Sequence, residues 1–112
     1  MIDVKDKVHK ALNGIKGVQA FFYYPDSFSK LPCVSYYEAH NSPDMAADDE
    51  EYLSEIVYVV DVWDQTSEKV TRIALKANAA MKKIGFSREF SHDVHNPDRN
   101  VRQKTMRFVL KT

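Results

Sequence analysis

Apolar residues recur at helical spacing in two stretches of this chain and crowd into short, turn-bounded runs in five others. In "IDVKDKVHKALNGIKG", Val4, Val8, Leu12 and Ile15 fall on one face with Ala11 beside them. That spacing predicts a helix over about residues 3–13, with Asp3 as a cap and Asn13-Gly14 or Gly17 as the stop. Its outer face carries Lys5, Asp6, Lys7 and Lys10, the pattern of a solvated side. In "DQTSEKVTRIALKANAAMKKIG", Val70, Ile73, Ala74, Ala77, Met81 and Ile84 form one stripe. Thr66 or Ser67 is placed to cap this second helix, Lys82 and Lys83 favour its C-terminal dipole, and Gly85 ends it.

The remaining apolar runs read as strands. "VQAFFYY" (18–24) is aromatic and bounded by Gly17 and Pro25, and "CVSYYEA" (33–39) follows the turn chemistry of "PDSFSKLP". A long third strand is predicted over about 52–64. It sets Tyr52, Ser54, Ile56, Tyr58, Val60 and Val62 against Leu53, Glu55, Val57, Val59, Asp61 and Trp63. A half-exposed strand alternates more cleanly, so this one is expected at the centre of its sheet, with helices on one face and another subunit on the other. "FSREFSHDV" (86–94) and "VRQKTMRFVLKT" (101–112) supply two more strands, the last with Met106, Phe108 and Leu110 inward. The order α-β-β-β-α-β-β, read with hairpin-like connections throughout, predicts an α+β domain over 1–112. Its sheet would be mainly antiparallel, with two helices on one face.

Between the second and third strands lies "NSPDMAADDEE", with Asp44, Asp48, Asp49, Glu50 and Glu51. Crowded carboxylates repel and resist packing, so residues from about 40 to 51 are expected to form a mobile, solvated loop. Lys+Arg and Asp+Glu both number 16, which offers no general attraction to nucleic acid or anionic membranes. No apolar run is long enough to span a bilayer, and the N-terminus has no secretory pattern. The single Cys33 reads as a small buried filler.

Searching for chemistry changes this picture little. The three glycines, Gly14, Gly17 and Gly85, form no phosphate-cradling loop, and no nucleophile elbow, CxxC pair or H-E-x-x-H helix occurs. His92 and His95 in "HDVH" point to opposite faces of an extended chain, a poor metal pair. "DMAADDEE" lacks the alternating ligands and central glycine of a calcium loop. Glu55 and Asp61 share a strand face, where they are read as polar positions that meet a neighbour's charges. The strand aromatics lack the interleaved Lys and Arg of a nucleic-acid stacking platform, so they read as core and interface residues. No enzyme, cofactor or metal is expected.

Three segments carry a family resemblance: "LPCVSYYEAHNSPD" running into the acidic stretch, "YLSEIVYVVDVW", and "KTMRFVL" near the end. Over nearly its whole length the chain resembles the tail completion proteins of long-tailed phages and prophages of Gram-positive bacteria. These are also called tail-to-head joining or minor structural proteins. The resemblance implies an α+β subunit similar to tail terminators, assembled as a ring, commonly a hexamer, at the head-proximal end of the tail tube. Its implied partners are copies of itself, the tail tube protein and the head completion or connector protein. Its implied place is the virion's tail–head junction, after synthesis in the bacterial cytoplasm. The family has no catalytic residues to carry over. The candidate interface is Asp44, Asp48, Asp49, Glu50, Glu51, Glu55, Asp61 and Trp63. A small ligand-binding or regulatory α+β domain is the alternative, followed by a metal-assisted enzyme using His92, His95 and the acidic stretch.

Overall fold

The computed structural model describes residues 3–26, 28, 30–43, 54–95 and 100–111. Its elements run α1 (Lys5–Asn13), β1 (Gln19–Phe22), β2 (Cys33–Pro43), β3 (Ser54–Asp64), α2 (Ser67–Lys83), β4 (Ser87–Val94) and β5 (Arg102–Lys111). This is the expected order, an α+β fold with two helices and a five-stranded, mostly antiparallel sheet. The helix ends follow their local chemistry. Thr66 caps α2 by accepting from Lys69 N–H at 3.2 Å, and Gly85 leaves it at φ 99. Val4 is the residue before α1, but the Asp3 carboxylate accepts from Lys5 N–H at 3.0 Å and so serves that terminus.

The strand order is β1-β2-β3-β5-β4. β3 pairs antiparallel with β2 and with β5, and β5 pairs antiparallel with β4. Two sequence expectations need correction. The connections are not hairpin-like throughout: β1 lies parallel to β2, because the chain after Phe22 travels back before entering at Cys33. In addition, α2 carries the chain from β3 past the position of β5, so β4 ends at the sheet edge. The second correction concerns length. β2 continues through His40, Asn41, Ser42 and Pro43, which were expected to belong to a loop. Their residue types disfavour strands, but β3 offers a ladder opposite them from Val57 to Ser54, beyond a register shift between Glu38 and His40. The rest of the predicted mobile loop, 44–51, lies outside the described residues.

Both helices pack on one face of the sheet. Val8 and Leu12 of α1 and Val70, Ala77 and Met81 of α2 meet Val34 and Tyr36 of β2, Ile56, Tyr58, Val60 and Val62 of β3, and Met106 and Phe108 of β5. Phe86, just before β4, sets its ring edge-on to Tyr58 with centroids 5.9 Å apart, which ties the end of α2 to the central strand. Burial, followed by the nearby Glu38, Asp3 and Tyr36, pushes the Tyr58 phenol well above its ordinary range. Tyr36 reaches the rim of this core and shares a 2.7 Å hydrogen bond with Nδ1 of His9.

These contacts predict a sharp contrast along α2. Met81 is fully buried, whereas Leu75, on the same helix, is 63% exposed. Met81→Ala should lower unfolding free energy by about 2–5 kcal/mol, through lost transfer energy and a residual cavity. Leu75→Ser should change it by no more than about 0.5 kcal/mol. Urea titration checks both, read as a midpoint shift at constant slope.

Candidate interaction surface

The sheet face away from the helices is built from alternate residues of the same strands. The register brings Phe21, Ser35, Asp61 and Thr105 into one row and Tyr37, Val59, Arg107 and Phe90 into the next. Neither described helix packs on this face. Tyr37, Val59, Thr105 and Arg107 are half-buried, Val57 is buried, and Phe90 stays 47% exposed on the outermost strand.

One end of the face is closed by the β1–β2 connection. Phe28 and Tyr24 fold over Trp63, with ring centroids 5.0 and 5.4 Å from it, and Cys33 and Val101 complete a small second core. The indole Nε1–H of Trp63 donates to Ser35 Oγ at 3.1 Å, which satisfies a buried polar pair. Trp63, nominated from sequence as an interface residue, is therefore 2% exposed and committed to contacts inside its own subunit. Asp61 is nearly as buried, and its carboxylate accepts from Gln103 Nε2 at 3.1 Å. Glu55 lies 3.9 Å from Lys111 across the β3–β5 pair. All three lie on the predicted face, and Asp61 and Glu55 have partners within the chain. Asp44, Asp48, Asp49, Glu50 and Glu51 lie outside the described residues.

Sequence reasoning missed Tyr23. Tyr24 N–H donates to the Phe22 carbonyl at 2.9 Å, closing a three-residue turn over Tyr23 at φ 75. A bulky residue in that region costs roughly 1–3 kcal/mol and persists only where surrounding contacts hold it. Here Tyr23 N–H donates to the Tyr36 carbonyl at 2.7 Å, and its ring stacks on Tyr37 at 5.3 Å with 23° between planes. The result is a 65% exposed tyrosine held rigidly at the end of the β1 edge, a form that suits an interface anchor. Nothing in the run "FFYYP" marks which aromatic takes the strained position.

At the other edge, β4 is exposed along nearly its whole length, and among the described strands it pairs with β5 alone. Such an edge is a template for strand addition. It is moderated by a register shift between Arg88 and Phe90 and by charged side chains. Glu89 pairs with Arg107 at 2.6 Å and Asp93 with Lys104 at 3.1 Å, while Phe90 stacks on His92 at 5.6 Å. His92 thus belongs to the open face. Among the described residues, no group of three His, Cys, Asp or Glu is gathered as metal ligands would be. None of the described helices is long and apolar enough to cross a membrane.

Cys33 is fully buried beside Trp63. Burial, and secondarily the Asp64 carboxylate, pushes its thiol up to about 11, because both disfavour the thiolate. The folded state therefore holds this proton more tightly than the unfolded chain does. The associated stability is complete below the ordinary thiol pKa and is lost as pH rises toward 11. Iodoacetamide at pH 8 should label native Cys33 at least about 100-fold more slowly than urea-unfolded chain. Equal rates would show that this end of the sheet opens readily.

Comparison with known protein families and with curated proteins finds no match for this chain.

Proposed function

We propose that this protein is a structural assembly subunit that works through contacts with other protein subunits, capping a phage or prophage tail tube and joining tail to head. The single observation that carries this reading is the asymmetry of the sheet. Its helix side is sealed by a continuous core, while the opposite side and the β4 edge keep Tyr23, Tyr37, Phe90 and unpaired backbone groups available. Rigid aromatics beside an open strand edge are what a protein partner engages with little ordering cost. The resemblance of "LPCVSYYEAHNSPD", "YLSEIVYVVDVW" and "KTMRFVL" to tail completion proteins supplies the specific assignment. In this reading the copies form a ring, and the tail tube and head connector meet its two sides.

A second reading, a small-ligand domain, draws on one cleft. Lys69, Arg72 and Lys76 of α2 face Phe28, Leu31 and Pro32 across about 430 Å³. Three cations, with the single carboxylate of Asp64 also in the lining, suit a compact anion. The cleft lies between the N-terminal half of α2 and the β1–β2 connection, apart from Tyr23 and Phe90, so substitutions at those two aromatics test assembly without touching it.

Deleting the gene from an inducible phage should yield filled heads and separate tails, counted by negative-stain microscopy, and wild-type protein supplied in trans should restore joined particles. Phe90→Glu combined with Tyr23→Ser should lower the joined fraction at least about tenfold while the subunit stays folded. Replacing Asp48, Asp49, Glu50 and Glu51 by Ser should also weaken joining without loss of stability, because solvated charges contribute little to folding. Normal particles from the deletion strain would overturn the assignment.

A further inference from the structure

The chain is neutral overall, yet its charge is divided along the sequence. The helical segments 3–17 and 66–84 hold nine of the 16 Lys/Arg and three of the 16 Asp/Glu, leaving six excess positive charges there and six excess negative charges elsewhere. Much of the positive excess lies in one line. Lys69, Arg72, Lys76 and Lys83 are spaced along one side of α2, all are exposed, and none forms an ion pair among the described residues. Toward the C-terminal end of α2, an apolar groove of about 540 Å³ opens between the two helices. Ala80 and Ile84 line it, and Lys16, Lys76 and Lys83 surround them.

The most concentrated negative charge in the sequence is "DMAADDEE", residues 44–51, with five carboxylates in eight residues. We propose that the basic stripe of α2 and its adjoining groove bind this acidic segment of a second copy of the chain. The inference rests on the reading of the protein as a subunit that assembles with its own copies. Three features of the sequence and the groove fit one another. Asp44, Asp48 and Asp49 answer the lysines. Met45, Ala46 and Ala47 between them are small and apolar enough for a floor of Ala80 and Ile84. The distance from Lys69 to Lys83 is about 21 Å of helix, within the roughly 26 Å that eight extended residues can reach.

A second copy is favoured over a nucleic acid by the rest of the molecule. The whole chain has a pI of about 6.9, and the run that answers the basic stripe is carried by the same chain, so the net field offers a phosphate backbone no general attraction. Donor and acceptor are different patches, so each docked copy leaves a free groove and a free segment. The contact is head-to-tail and generates a closed ring or an open chain. Charge complementarity of this kind fixes register between copies more than it adds affinity.

The test titrates the full chain into a fluorescein-labelled peptide of residues 41–53, followed by anisotropy. Saturable binding is expected that weakens as salt rises. Lys76→Glu/Lys83→Glu should bind at least about tenfold more weakly, while Lys7→Glu/Lys10→Glu on the outer face of α1 should bind as wild type does. In sedimentation, a groove-reversed chain mixed with an Asp48→Lys/Asp49→Lys chain should associate, although neither does so alone. Absence of saturable binding, equal binding by the groove variant, or tighter binding of a 12-base-pair DNA duplex than of the peptide would overturn the proposal. Peptide binding does not depend on tails. A deletion phage with normal particles but intact peptide binding would therefore remove the head–tail assignment and leave the groove contact standing.

Discussion

Central strand β3 must satisfy two ladders and two faces at once, and the other elements take their places from that demand. Its backbone pairs with β2 on one side and β5 on the other from Glu55 to Trp63. On the helix side Ile56, Tyr58, Val60 and Val62 are all buried, a surface that would be costly in water and that both helices are needed to cover. Every large ring in the main core, Tyr36, Tyr58, Phe86 and Phe108, lies on or against this strand or its two neighbours.

Because both helices are used on one side, the cover that the described residues give the opposite face comes from the β1–β2 connection. Tyr24 and Phe28 protect Trp63, and beyond them the face carries buried Val57, half-buried Tyr37 and Val59, and paired charges. The same economy shapes the edges. β1 ends after four residues in the strained turn at Tyr23, whereas β4 runs for eight residues with no strand outside it. A short edge and a long one give the described sheet two unlike sides.

Charge follows the same division. The helical segments are basic and the run 44–51 acidic, although composition alone reports a balanced chain. Exposed ion pairs within the subunit, such as Glu89 with Arg107 and Asp93 with Lys104, join β4 to β5 and contribute little to stability. The cations of the α2 stripe have no such partner among the described residues, so their field is directed outward.

The sequence by itself determined both helices, their caps and their buried stripes, because period and capping chemistry are local. It also determined the existence of five strands, the central position of the third, the inward set Met106 and Phe108, and the burial of Cys33. Only the tertiary structure decided what those strands do with one another. The parallel β1–β2 pair, the placement of β5 between β3 and β4, and the extension of β2 through Pro43 depend on which ladder is available, and no local pattern encodes a partner. For the same reason Trp63 and Asp61 read from sequence as surface residues on an apolar strand. Their burial depends on Phe28, Tyr24 and Gln103, which reach them from elsewhere in the chain. The exposed ring of Tyr23 was illegible too, because a positive φ within an aromatic run is imposed by hydrogen bonds to Tyr36 and across the turn, not by residue type.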